Sequence, residues 1–169
     1  MSILAKKDIL TLIEGNPPLV EAFLDLEAQL QTNGFDLSLR SVSRLTSCGR
    51  LAMDNKNRIV SAQSRLEFDS AGLIHLEPGS YSVIYNEIVH LPKDVMALGL
   101  SRSSLLRCGA SLHTAVWDAG YSGRSESLLV VHNPQGFDLE KDARVLQLVF
   151  SKLTNVSEGY QGRYQGENT

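Results

Sequence analysis

The sequence predicts a mainly β fold: a distorted β-barrel or jelly roll behind a short helical N-terminal segment. Three observations carry this. From Phe35 onward the apolar runs are short and rich in β-branched or aromatic residues. Turn signals such as Glu77-Pro78-Gly79 and Asn133-Pro134 separate them. No helical pattern alternates with the strands, which favours a barrel or jelly roll over a βαβ layout.

Residues 1–30 read as the helical segment. Asp8 to Ile13 suggests a short helical turn. Asn16-Pro17-Pro18 then supplies an N-cap with prolines in the first turn. Leu19, Phe23, Leu26 and Leu30 follow at spacings of four, three and four, which makes one apolar helical stripe. Thr32-Asn33-Gly34 ends it. The expectation is a helix resting on the main body.

Residues 31–155 read as the β core. The candidate strands are FDLSL, GLIHLEP, YSVIYNEIVHL, SESLLVVHN and RVLQLVF. Tyr81, Val83 and Tyr85 alternate with Ser82 and Ile84, as in a partly buried strand. Residues 156–169 include EGYQGRYQGENT, which is polar and Gly-rich and is expected to be mobile when nothing is bound. With no tandem repeat or low-complexity run, the 169 residues form one domain.

Composition narrows the function classes. Apolar residues make up 43% and charged residues 21%, a balance that folds. A net charge of −3 and a pI near 5.8 argue against a nucleic-acid coat, which needs a basic stripe facing phosphates. A small anionic ligand needs only a few local arginines. No apolar run approaches the ~20 residues that span a bilayer. The start, MSILAKKDILTLIEG, lacks a basic region followed by an apolar one, so a cytoplasmic chain is expected. Cys48 and Cys108 lack metal-ligand spacing and read as buried or free thiols in a reducing compartment.

The chemistry concentrates in SRSSLLRCGASLHTAVWDAGYSG, Ser101 to Gly123. Arg102, Ser103 and Ser104 offer a guanidinium fork and two hydroxyls, and Arg107 adds a second positive charge. A phosphate chain wants charge-assisted donors of this kind. The plain alternative is a Ser-rich turn with its arginines in solvent. Asp118 either caps its Gly-rich turn or acts as a base that orients water. Tyr121 is either a core aromatic or a ring face for a sugar. His75, His90, His113 and His132 show no zinc spacing, and no phosphate-loop or dinucleotide glycine motif occurs.

Taken in order, these pieces resemble the trimeric dUTPase and dCTP deaminase superfamily, closest to its archaeal or deaminase-like branch. QTNGFDLSL looks like the first motif, and EPGSYSVIYNEIVHLPKDVMALGLSRSSLLRCG resembles the most specific segment. WDAGYSG is similar to the third motif, RVLQLVF to the fourth, and YQGRYQGENT to the C-terminal lid. The resemblance implies a homotrimer with active sites between subunits, a deoxynucleoside triphosphate substrate and Mg²⁺. Carried over by residue, Arg102, Ser103, Ser104, Arg107 and Gln147 would contact the phosphates. Asp118 would hold the 3′-hydroxyl and the catalytic water. Tyr121 would pack on the deoxyribose, and Tyr160, Arg163 and Tyr164 would close over the nucleotide. Uracil would be read through backbone groups around Ala115. No protein ligand is expected for the metal, which phosphate oxygens and water would hold. Asp36 reads as structural.

Two branches of that superfamily differ in chemistry. A deaminase needs a strand glutamate three residues before the asparagine that ends the strand. Counting back from Asn133 gives Val130, and counting from Gly123 gives Leu128; Glu126 falls two residues off. An aliphatic side chain cannot shuttle the protons of deamination. The expectation is therefore hydrolysis of dUTP to dUMP and pyrophosphate. A dCTP deaminase, or a bifunctional enzyme, is the alternative, and a non-catalytic nucleotide-binding regulator is the second. Glu167 stands where deaminase-like tails carry Gln.

Overall fold

The computed structural model describes residues 2–169. Strand β1 (Ser2–Ile3) precedes helix α1 (Lys6–Ile13), β2 (Val20–Glu21), helix α2 (Leu26–Gln29) and β3 (Leu30–Gln31). The long β4 (Gly34–Leu45) is followed by β5 (Gln63–Leu66), β6 (Leu73–Leu76), β7 (Gly79–Tyr85), β8 (Ile88–His90) and β9 (Val95–Ser101). Helix α3 (Ser103–Arg107) leads to β10 (Ala110–His113), β11 (Ser122–Gly123), β12 (Glu126–Val131), β13 (Phe137–Glu140) and β14 (Arg144–Lys152).

The architecture is mainly β, with one large sheet curled into a half-barrel. Its strand order is β1-β14-β4-β7-β12-β10, with β3 and β5 also on β4 and β9 also on β14. A second sheet runs β11-β8-β2, and β13 pairs with β6. Register shifts at Leu39/Ser41 of β4 and Arg144/Leu146 of β14 interrupt the two central ladders. Each such irregularity increases local twist and helps a wide sheet to curl. Phe35, Leu37 and Leu39 of β4 are fully buried against Leu146, Leu148 and Phe150 of β14 and Tyr85 of β7. Burying one such side chain contributes about 1.5–3 kcal/mol.

The predicted helix from Asn16 to Leu30 does not form. Val20–Glu21 is a strand on β8, with Val20 opposite Val89 and Glu21 opposite Ile88. Ala22 adopts φ +57°, which breaks any helical run. Only Leu26–Gln29 is helical, with Asp25 Oδ1 accepting from the Ala28 N–H at 3.1 Å. The physical reason lies at Pro17-Pro18. The second proline pushes its predecessor out of the helical region, and β8 offers hydrogen bonds that an isolated helix turn cannot match. Leu19 and Leu30 still reach the core, so the apolar spacing recorded burial but not helix. The expected run YSVIYNEIVHL likewise splits, into β7 and β8.

The break between β7 and β8 holds Glu87, which is only 1% exposed. Its Oε1 accepts from Gln29 Nε2 and Ser38 Oγ at 2.6 Å each, and its Oε2 from the Ser38 N–H at 2.8 Å. Burial pushes this carboxyl above its ordinary range, against the pull of those donors. The knot ties α2, β4 and the β7–β8 turn together. Asp36 on β4, also 1% exposed, meets Arg102 Nε at 3.0 Å and Arg144 Nη1 at 3.3 Å. Cys48 and Cys108 are free and exposed. Among the described residues no helix is long and apolar enough to cross a membrane.

Candidate active site

The turn Trp117–Gly123 is pinned at both ends by backbone. Trp117 and Ala97 of β9 exchange N–H···O bonds at 2.9 and 3.1 Å. The Leu91 N–H donates to the Tyr121 carbonyl at 2.8 Å, and Ser122–Gly123 pairs with β8 as β11. Gly120 sits at φ +85°, and a Cβ there would lie 2.6 Å from Gly159 Cα. Tail backbone and turn backbone therefore touch where only glycine fits.

A cavity of about 500 Å³ opens between this turn, β12 and the tail. That volume suits a small-molecule ligand. Of the sequence-predicted residues, Asp118, Ala115, Tyr121, Tyr160 and Tyr164 line it. So do Glu126, Glu167, Ser125 and Trp117, which have no assigned role. Trp117 Nε1–H donates to Ser125 Oγ, which lies 3.1 Å from the Tyr121 hydroxyl. That hydroxyl donates in turn to Glu167 Oε1 at 2.9 Å. Tyr121 also meets Tyr160 edge-to-face, with ring centroids 5.8 Å apart. Burial pushes the Tyr121 phenol far up. Burial likewise lifts the Glu167 carboxyl; the Tyr121 hydrogen bond opposes this and the Glu126 charge adds to it.

The tail crosses the turn as a strap. The Tyr160 N–H donates to the Ala119 carbonyl at 2.8 Å, and the Gly166 N–H to the Ser122 carbonyl at 2.7 Å. Arg124 Nη1 holds the Asn168 carbonyl at 2.7 Å, while Asn168 Nδ2 donates to the Arg124 carbonyl at 3.0 Å. Arg163 is exposed, its guanidinium 5.9 Å from the Tyr164 ring centroid. Arg58 approaches the same ring at 5.9 Å.

The predicted phosphate set does not line this cavity. Arg102, Ser103, Ser104 and Arg107 occupy α3 and its N-cap, and the two serines and Arg107 are exposed. Arg102 spends its guanidinium on Asp36 and on the Arg144 carbonyl, the latter at 3.2 Å. Gln147 lies on β14, opposite Asp36 of β4 and Leu100 of β9. One chain thus carries two separate clusters.

Strand β12 explains Glu126. Glu126, Leu128 and Val130 share one face, while Ser127, Leu129 and Val131 are buried on the other. A slip of two residues keeps a side chain on the same face. Glu126 and Leu128 both reach the cavity, and Glu126 Oε1 accepts from Gln63 Nε2 at 2.5 Å and Ser82 Oγ at 2.6 Å. The period of two was the signal that could have found Glu126 from sequence.

Residues 3–153 match the family model described as dCTP deaminase-like. The chain belongs to the dCTP deaminase-like family. A Methanococcoides burtonii chain named "Probable deoxyuridine 5'-triphosphate nucleotidohydrolase" is 52% identical over 169 residues, covering 99% of each chain. Chains of the same name from Methanosarcina mazei and Archaeoglobus fulgidus are 51% and 46% identical, over 100% and 99% of this chain and 99% and 98% of theirs. Among solved structures, the 2'-deoxycytidine 5'-triphosphate deaminase from Agrobacterium tumefaciens aligns with a TM-score of 0.65 at 22% identity. That alignment covers 88% of this chain and 47% of the other, a likeness of fold. Within this family fold, the cavity lies where the turn, β12 and the tail converge.

Proposed function

We propose that this protein hydrolyses dUTP to dUMP and pyrophosphate. The observation that carries the reading is the meeting of Asp118, Ala115 and Tyr121 in one nucleoside-sized cavity whose β12 wall offers Leu128 across from His113. The full-length archaeal relatives of the same name support it. The Asp118 carboxylate orients a water and takes its proton as the water oxygen bonds to the α-phosphorus. The α-phosphorus to bridging-oxygen bond breaks, and pyrophosphate leaves. Positioning and electrostatics supply most of the acceleration in such a reaction. Tyr121, held by Ser125 and Glu167, presents a fixed ring to the sugar.

The family implies Mg²⁺, which offsets charge on the phosphate oxygens when bound. Among the described residues no cluster of three or more His, Cys, Asp or Glu side chains forms a metal cage, which fits an ion carried by the nucleotide with the Asp118 carboxylate as a hard oxygen partner. Phosphate oxygens and water would fill most of its shell. The phosphate cluster on α3 and β14 would meet the cavity across a subunit boundary, in a homotrimer working in the cytoplasm. The exposed side chains of Leu98, Leu100, Leu106 and Val116 support such an assembly.

The test is to incubate the protein with dUTP and Mg²⁺ and measure pyrophosphate, with dCTP in parallel. Pyrophosphate from dUTP alone is expected. Nucleotide binding without release would support a non-catalytic regulator. The cavity position of Glu126 favours one second reading, deamination of dCTP, and dUTP or dUMP formed from dCTP would establish it.

A further inference from the structure

Glu126 sits in the cavity with only half of its carboxylate engaged. Gln63 Nε2 and Ser82 Oγ both donate to Oε1. No described residue donates to Oε2. Gln63 comes from β5, Ser82 from β7 and Glu126 from β12, so two neighbouring strand segments fix the carboxylate's orientation. A carboxylate oxygen held this way is an acceptor and nothing else. On the same cavity wall, Ala115 lies past the β10–β12 ladder, which ends at His113↔Leu128. Its backbone N–H is outside that ladder and is a donor and nothing else.

We propose that Glu126 is a specificity-determining residue that reads the base, accepting the N3–H of uracil on Oε2 while Ala115 donates to O4. This rests on the dUTP reading and names how the same site selects its base. Uracil presents a carbonyl acceptor beside an N–H donor. Cytosine presents the reverse pair, an amino donor beside a lone pair on N3. Against Glu126 and Ala115, cytosine sets donor against donor and acceptor against acceptor. Each unmatched polar group that is buried by the ligand costs binding, so discrimination comes from mismatch. Glu167 lines the same cavity as Glu126.

The arrangement makes a directional test possible. In E126Q the amide keeps both existing donor contacts by turning its carbonyl toward Gln63 Nε2 and Ser82 Oγ. Its NH₂ then points where Oε2 pointed, and the reader changes from acceptor to donor. Binding of non-hydrolysable α,β-imido analogues of dUTP and dCTP is measured by calorimetry on wild type and E126Q. The expected result is at least about a tenfold loss for the dUTP analogue, with the dCTP analogue unchanged or tighter. Equal losses for both analogues, or no change for either, would overturn the proposal. So would conversion of dCTP to dUTP by wild type that E126Q abolishes, because Glu126 would then act on the base chemically. Should E126Q melt below wild type, the pair Ser82→Ala and Gln63→Ala frees the carboxylate without removing it. That double variant should narrow the preference for the dUTP analogue; an intact preference counts against the proposal. The analogues need no turnover, so failure of the hydrolysis reading shows separately, in pyrophosphate release.

Discussion

The Tyr121 hydroxyl donates to Glu167 Oε1 at 2.9 Å across 46 residues of sequence, joining the WDAGYSG turn to the tail that covers it. The contact links the residue proposed to face the sugar with a residue of the strap itself. Ser125 and the single tryptophan, Trp117, continue the chain of hydrogen bonds on the other side.

Tyr121→Phe keeps the ring and removes this donor. A hydrogen bond to a charged group contributes about 1.5–3 kcal/mol. The strap should loosen, and amide exchange across residues 162–168 should speed up by at least about tenfold. KM for dUTP should rise more than kcat falls, because the sugar face is intact. Unchanged exchange would show that the backbone contacts at Arg124 hold the tail without help.

The strap should also respond to pH. Glu167 is pushed above its ordinary value in the docked tail by burial and by Glu126. The docked state therefore binds more protons than the free one. Docking should be strongest below the ordinary glutamate value and weaken as pH rises through the raised one. Trp117 fluorescence, coupled through Ser125 and Tyr121, should follow this transition in wild type. In Glu167→Gln the transition should vanish while the emission stays near its low-pH form.

Gly120→Ala should detach the strap by sterics. The new Cβ would lie 2.6 Å from Gly159 Cα and 2.9 Å from the Tyr160 N, both backbone atoms that cannot swing away. The φ of +85° adds about 1–2 kcal/mol of strain. The outcome to measure is dUTP turnover with a raised KM alongside a near-UV spectrum that still shows Trp117 in a fixed environment.

Asp118→Asn keeps size and hydrogen bonding but removes most basicity. Turnover should drop by about 10²–10⁴-fold while nucleotide still binds. Near-normal turnover would remove the role given to Asp118. Arg102→Ala should behave differently, because its partner Asp36 is 1% exposed. Losing one member of a buried pair costs about 3–5 kcal/mol. Arg144 remains 3.3 Å from Asp36, so the fall in Tm should correspond to less than that. Mixing the two variants then tests the shared site: hybrids should regain activity that neither variant has alone.

The sequence by itself determined the β class and the local chemistry. Short β-branched runs between turn residues fold as strands wherever they lie, because alternation and turn preference are properties of neighbours in the chain. The same holds for Asp118 and Tyr121, which stand in one turn and reach one cavity. Only tertiary structure decided the rest. Val20–Glu21 became a strand because β8 was beside it, a pairing across about 70 residues that no local stripe records. The period of two put Glu126 on the cavity face of β12, but the orientation of its carboxylate was decided by Gln63 and Ser82, far away in sequence. Arg102 was divided from Asp118 because a buried aspartate on β4 claims its guanidinium. Hydrogen bonds and charges between distant segments are settled by which surfaces meet, and local sequence carries no term for that.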